Sequence, residues 1–134
     1  MAQNDAHVVR RAWAALNRRD VEAFLDCMDP DVEAVPFGAA MEGRVYRGHE
    51  GVVDWLENEL WTAYETFEVY PEESRHVGER LIVFGHWIAR GKESGVELEV
   101  KASWVVDVKG GKIARWQTYT ELDEALQAVG LSKG

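Results

Sequence analysis

The sequence predicts an α+β fold in which helices come first and an antiparallel sheet follows. Apolar residues recur at helical spacing in the first half of the chain, and from Thr66 onward they recur with a period of two. A run of helices followed by a run of strands is typical of α+β domains, with the helices on one face of a curved sheet. The 134 residues contain no linker, repeat or low-complexity stretch, so we read residues 1–134 as a single domain.

Three helices account for the first half of the chain. Residues 4–20 carry apolar side chains at helical spacing, and Asn4 or Asp5 is the candidate N-cap. Asp20 caps a short second helix over residues 21–28. The third helix follows "YRGHEG", has Trp55 at its side, and carries an apolar stripe formed by Val52, Val53, Leu56, Leu60 and Ala63.

The predicted strands are bounded by prolines and glycines. Pro30 ends the second helix, and a short strand then runs to about Pro36. "TFEVYPEESRHV" is a strand that is bulged or at a sheet edge near Pro71, because proline cannot donate to the ladder. Gly110 and Gly111 predict a tight hairpin turn between two further strands.

The strand "RLIVFGHWIARG" is apolar on both faces, unlike the next strand, "VELEVKASWVVDV", which alternates. After the final strand, "IARWQTYT", the segment "ELDEALQAVGL" predicts a short tail helix. Glu121 and Asp123 are expected in its first turn, where acidic side chains are favoured.

Composition excludes several classes of partner and cofactor. The 24 acids outnumber the 15 bases, and the net charge of -9 argues against nucleic acid and anionic lipid as partners. The histidines lack metal-ligand spacing and no phosphate-binding glycine motif occurs, so we expect no metal and no cofactor. The single Cys27 is expected to be a buried structural thiol. It fits a reducing cytoplasm, and the polar N-terminus without a long apolar run favours the same location and no membrane association.

Three blocks carry a resemblance to a known family. "AWAALNRRDVEAFLDCMDPDVEAVP", "EGRVYRGHEGVVDWL" and "GGKIARWQTYTELDEALQAVGL" resemble SnoaL-like proteins of the nuclear transport factor 2-like superfamily, which includes polyketide cyclases and ketosteroid isomerases. The resemblance implies a cone, in which a strongly bent antiparallel sheet wraps around three N-terminal helices and leaves a deep apolar pocket. It also implies that "YRGHEG" is the loop entering the third helix, so that His49 and Glu50 are structural. Fold alone does not decide the reaction.

The polar network of steroid isomerases is absent from the matching positions. Ala12, Pro36, Leu56 and Trp104 occupy the places where those enzymes hold tyrosines and aspartates. Without a base or a donor to the enolate oxygen, that isomerisation loses its stabilisation. Polyketide cyclases of the family use an acid near the last strand, and Glu121 and Asp123 are the nearest candidates.

The resemblance points the His86 face of its strand into the cone. His86 is then a candidate general acid or base, with Tyr46 as a hydrogen-bond donor to a substrate carbonyl; a structural histidine in the core is the alternative. The expected pocket lining consists of Trp13, Phe24, Phe37, Tyr46, Trp55, Phe84, His86, Trp104 and Trp116. The opposite face, with Leu81, Val83 and Trp87, would then form an exposed patch and a homodimer interface.

The resulting functional hypothesis is binding or turnover of a small apolar or aromatic molecule. The reaction would be of the cyclase, isomerase or lyase type, with His86 transferring the proton. The alternative is a non-catalytic ligand-binding or dimerisation domain. Two polar groups converging inside the pocket favour the enzyme, and a dry or collapsed pocket favours the alternative.

Overall fold

A computed structural model describes residues 2–37, 39 and 42–130, with side chains from residue 5 onward. The elements in chain order are α1 (Ala2–Asn17), α2 (Val21–Asp26), β1 (Met28–Val35), β2 (Tyr46–Arg47), α3 (Gly48–Trp55), a π-helical segment (Leu56–Leu60), α4 (Trp61–Ala63), β3 (Tyr64–Val77), β4 (Arg80–Gly91), β5 (Glu97–Lys109), β6 (Lys112–Tyr119) and α5 (Leu122–Ala128). The α+β class is therefore confirmed.

One six-stranded curved sheet, in the order β2-β1-β6-β5-β4-β3, carries the fold. Strands β3 to β6 form the predicted antiparallel meander. The expectation of an antiparallel sheet throughout is wrong at one place, because β1 pairs parallel with β6, with Ala34 opposite Trp116. Periodicity along a strand shows which residues share a face but not the direction of the partner strand.

The predicted hairpin turn and the predicted edge are confirmed. Gly110 and Gly111 have φ values of 59° and 77°, as a primed hairpin turn between β5 and β6 requires. Strand β3 is the edge of the sheet, and its register shifts between Pro71 and Glu73, so the proline lies beside a bulge as expected.

Helix α2 has the predicted start and an earlier end. The Asp20 side chain accepts a hydrogen bond from the Ala23 amide at 3.1 Å, which confirms the cap. The helix ends at Asp26, and Pro30 lies inside β1 instead of ending the helix. The Cys27 carbonyl accepts from the Ile113 amide at 2.8 Å, so sheet pairing already begins there, and Cys27 itself is buried as expected.

The start of α1 differs from the prediction, and the start of α5 agrees with it. Helix α1 begins at Ala2, so Asp5 is an acid of its first turn instead of its N-cap, and the Asn4 side chain lies outside the described residues. The tail helix α5 places Glu121 at its N-cap position and Asp123 in its first turn, as expected. The predicted last residue of the tail helix, Leu131, lies outside the described residues.

The third helix contains an irregular segment that no periodicity indicated. Val52, Leu56 and Leu60 of the predicted stripe are buried, whereas Ala63 is exposed. The chain passes through π-helical geometry over Leu56–Leu60, which inserts extra backbone into the turn and changes the direction of the side chains that follow.

The stretch "YRGHEG" is structural, as predicted. Gly48 has φ +70°, and a Cβ there would lie 3.3 Å from the Pro30 carbonyl oxygen. His49 places Nε2 3.1 Å from the Met28 carbonyl oxygen and so ties the start of α3 to β1. Backbone geometry and packing account for these residues.

The two faces of β4 are the reverse of the prediction. Leu81, Val83 and Trp87 are buried in the main core instead of forming an exposed patch. Ile82 on the other face is also buried, because α5 covers it with Ala125. A strand that is apolar on both faces here reflects a helix packed on its outer side, so the argument for a dimer through Leu81, Val83 and Trp87 is wrong. Dimerisation itself stays a prediction.

No helix in the described part of the chain is long and apolar enough to cross a membrane.

Candidate functional site: an aromatic cavity with a charged rim

A cavity of about 180 Å³, partly open to solvent, lies between the inner face of the sheet and the helices α1 and α3. Its wall is lined by Trp13, Leu16, Pro36, Phe37, Ala39, Arg44, Tyr46, Trp55, Glu59, Leu60, Ala63, Tyr64, Phe67, Val69, Trp87, Trp104, Trp116 and Thr118. Five of the six tryptophans are on this wall. The sixth, Trp61, lies outside it, beneath the Arg19 guanidinium at 5.1 Å.

The inner part of the cavity is formed by four tryptophans from four different elements. Trp13 of α1 makes edge-to-face contacts with Trp116 at 5.6 Å and with Trp104 at 6.0 Å between ring centroids. Trp55 of α3 contacts Trp116 at 5.8 Å. Such tilted arrangements are the favoured geometry of aromatic pairs, so the rings of this wall pack directly against one another.

A second group of rings forms the side of the cavity next to the edge strand. Phe67 of β3 stacks on Trp87 of β4 at 5.8 Å, and Tyr64 contacts Phe67 at 5.7 Å. Phe37 contacts Trp87 at 5.3 Å although it is 58% exposed. The aromatic surface therefore continues from the interior to the opening.

Two polar atoms on this aromatic wall have no partner. Trp13 Nε1 and Tyr46 Oη are buried and make no hydrogen bond within the described residues. Leaving a buried donor unsatisfied costs about 1–3 kcal/mol, so such a group calls for an explanation.

The opening carries the only two charged residues among the described lining. Arg44 and Glu59 are both about half-exposed, and Arg44 Nη1 lies 3.1 Å from Glu59 Oε1. Arg44 also pairs with Glu42, and its guanidinium carbon lies 5.4 Å from the centre of the Tyr46 ring. We call Glu42, Arg44 and Glu59 the charged rim.

Tyr46 is held in its neutral form. Burial raises the pKa of its phenol, and the negative charges of Glu59, Asp54 and Glu42 raise it further, while Arg44 lowers it. At neutral pH the phenol therefore keeps its proton and acts as a hydrogen-bond donor.

His86 is not in the cavity, so its predicted role inside the pocket is wrong. Its Nδ1 lies 2.9 Å from Glu72 Oε1, and its ring stacks on Tyr70 at 5.1 Å, on the outer side of β4. Trp87, the next residue, points into the cavity instead. Because side chains alternate between the two faces of a strand, assigning one residue to the wrong face assigns every residue of that strand to the wrong face.

Two further predicted lining residues also lie elsewhere. Phe24 is buried behind the wall, 5.9 Å from the rings of both Trp13 and Trp116. Phe84 packs with the outer cluster around α5. The other six predicted residues line the cavity, namely Trp13, Phe37, Tyr46, Trp55, Trp104 and Trp116. Their role in binding stays a prediction.

Sequence reasoning missed five chemically important lining residues: Arg44, Glu59, Tyr64, Phe67 and Trp87. The available signal for Trp87 was the predicted tail helix, whose apolar side needs a partner. If that helix covers the Ile82 face of β4, the opposite face, which carries Trp87, must line the cavity. Glu121 and Asp123 do not line the cavity, and they lie at the start of α5. Their position therefore favours a role in starting that helix over a role as the catalytic acid of a cyclase. Across the described residues, no three His, Cys, Asp or Glu side chains group as metal ligands.

The curved sheet, the covering helices and the apolar cavity define the nuclear transport factor 2-like fold. The chain belongs to the SnoaL-like domain family, whose pattern it matches over residues 9–116. It is 34% identical over 114 residues to the uncharacterized protein Rv0034 of Mycobacterium tuberculosis strain H37Rv, covering 83% of this chain and 84% of that one.

The fold also occurs in solved structures, two of which were solved with a small molecule. TerC, co-crystallized with polyporic acid, superposes on this chain with a TM-score of 0.78 at 22% identity. The match includes 94% of this chain and 98% of the TerC chain. A hypothetical protein of Catenulispora acidiphila DSM 44928 with a ketosteroid isomerase-like fold, in complex with trimethylamine, has a TM-score of 0.74 at 18% identity, with 92% of each chain covered. At these identities the likeness shows the fold alone.

Proposed function

We propose that this protein binds a small aromatic molecule of one or two rings in the tryptophan-lined cavity. The observation that carries the proposal is the placement of five of the six tryptophans around one partly open cavity. Aromatic rings provide a large apolar contact area with little conformational entropy to lose.

The size of the cavity limits the ligand. Its volume of about 180 Å³ is close to the roughly 150 Å³ of an engineered apolar cavity that takes up benzene. A steroid has four fused rings and exceeds this space. The ligands of the two fold relatives differ in chemistry, polyporic acid in one and trimethylamine in the other, so they support small-molecule binding without choosing the class.

Turnover is the second candidate function, and the rim supplies the observation for it. Glu59 lines the cavity beside Tyr46, whose pKa it raises, so a carboxylate base and a phenol donor border the same space. Such a pair suits proton abstraction next to a carbonyl group. Because His86 lies outside the cavity, Glu59 would transfer the proton if the protein converts its ligand.

Isothermal titration calorimetry with phenols, naphthols and a steroid tests the binding proposal. We expect phenols and naphthols to bind and the steroid not to bind. Trp55→Ala should weaken binding about tenfold, which corresponds to ~1.4 kcal/mol. Trp61→Ala is the matched control, because Trp61 is also half-buried in the same helical stretch but lies off the cavity.

The proposal fails if no phenol or naphthol binds, or if Trp61→Ala weakens binding as much as Trp55→Ala does. Turnover is supported only if a ligand that binds is also converted and Glu59→Gln stops the conversion while binding remains.

A further inference from the structure

The charged rim has more negative than positive charge. Arg44 pairs with two carboxylates, Glu42 and Glu59, so one guanidinium is shared between two acids. Asp54 adds a further negative charge that acts on Tyr46. Glu42 and Glu59 both contact Arg44, so their negative charges act together at the opening.

This balance disfavours an anionic ligand and favours a cationic one. A carboxylate entering the cavity would pass the excess of acids on the rim, and the whole chain is acidic, with a net charge of -9. Local fields of one sign raise the concentration of oppositely charged ligands. The aromatic wall adds a second attraction, since tryptophan and tyrosine faces bind ammonium and guanidinium groups.

Arg44 shows how a ligand cation would sit. Its guanidinium lies over the face of Tyr46 and pairs with Glu59 at the same time. An ammonium group that took its place at Glu59 would leave Arg44 still paired with Glu42. The π-helical segment Leu56–Leu60 holds Glu59 on the cavity wall for this contact.

We propose that the ligand is an aromatic amine whose ammonium group pairs with Glu59 at the charged rim while its ring fills the tryptophan-lined cavity. This inference rests on the proposed function and narrows its ligand class.

Three probes of nearly equal shape test the charge preference: tyramine, tyrosol and 4-hydroxyphenylacetate. They share a phenol ring and end in an ammonium, a hydroxyl and a carboxylate group at pH 7. We expect calorimetry to show tyramine binding about tenfold more tightly than tyrosol, a factor typical of one ion pair with a cation–π contact. The carboxylate should bind more weakly than tyrosol. Added salt should reduce the tyramine advantage.

Glu59→Gln should remove the preference for tyramine over tyrosol, measured as the ratio of the two dissociation constants. Glu57→Gln is the control, because Glu57 is an exposed glutamate of the same π-helical segment that does not line the cavity. It should leave the preference intact. An unchanged melting temperature and circular dichroism spectrum show that each variant is folded.

The outcomes separate the two proposals. If tyrosol or the carboxylate binds as tightly as tyramine, or if Glu59→Gln keeps the full preference, the amine inference is overturned and aromatic binding stands. If none of the three probes binds, and the phenols and naphthols also fail, aromatic binding itself is overturned.

Discussion

Replacing Trp87 with alanine tests which face of β4 forms the core. Trp87 is 4% exposed, stacks on Phe67 and contacts Phe37. Its chain neighbour His86 lies on the opposite face, where it contacts Tyr70 and Glu72. The two substitutions Trp87→Ala and His86→Ala therefore probe the two sides of the same strand, one residue apart.

The structure predicts different losses of unfolding free energy for the two variants. Removing a buried tryptophan side chain typically costs 3–5 kcal/mol, and the space left by Trp87 adds to an existing cavity. An unfolding entropy of about 2.1 cal/mol/K per residue gives ~0.28 kcal/mol/K for 134 residues. A loss of 3 kcal/mol thus lowers Tm by about 11 °C. His86→Ala removes a pair with Glu72, whose side chain is 63% exposed, and should cost at most about 1 kcal/mol, or ~4 °C.

Urea denaturation followed by far-ultraviolet circular dichroism, together with calorimetric melting, measures both changes. We expect Trp87→Ala to be the more destabilised variant by at least about 2 kcal/mol. A larger loss for His86→Ala would mean that β4 presents its other face to the core. The assignment of the cavity wall, and the exclusion of His86 from it, would then be wrong.

Two further predictions concern stability. Asn17→Ala should lower the free energy of unfolding by about 1–3 kcal/mol in urea denaturation. The Asn17 side-chain amide accepts a hydrogen bond from the Val69 N–H at 2.8 Å and donates one to the Val69 carbonyl at 2.9 Å. Asn58→Ala, an exposed control, should change stability by less than about 0.5 kcal/mol. Burial raises the pKa of Tyr46 and of Tyr119 above the ordinary value of 10.0, so the stability that their neutral phenols provide is complete below pH 10 and is lost as the pH rises through the folded-state pKa. Replacing both tyrosines with phenylalanine should flatten the fall in unfolding free energy between pH 9 and pH 11, and an equally steep fall would contradict this explanation.

The order of elements could be predicted from the sequence because each depended on local chemistry. The Asp20 cap, the Gly110–Gly111 turn and the bulge beside Pro71 are properties of a few adjacent residues. The end of α2 was missed because long-range pairing of Cys27 with Ile113 takes over the backbone three residues before Pro30. Proline marks where a helix cannot continue, and tertiary contacts ended this helix earlier.

The cavity could be predicted as an aromatic one, but not which strand face lines it. A strand with apolar residues on both sides gives no periodic signal that distinguishes the two faces. Which face of β4 lines the cavity depends on α5, because this helix covers the face that carries Ile82. The family resemblance pointed to that covered face instead of the face that carries Trp87. Glu59 reached the wall through π-helical geometry, which regular helical spacing does not predict.

The parallel pairing of β1 with β6 also sets the order in which the chain is able to fold. Met28 and Ile113 are paired although 85 positions separate them, whereas β3 to β6 are joined by short hairpins. Loop-closure entropy and high contact order slow such distant pairings. During synthesis at roughly 5–20 residues per second, β1 emerges several seconds before its partner exists. Until β6 is made, the edge of β1 that it covers is unpaired, and the buried side chains Val32 and Ala34 have only the helices and the two-residue β2 to cover them, so this interval exposes the nascent chain to aggregation.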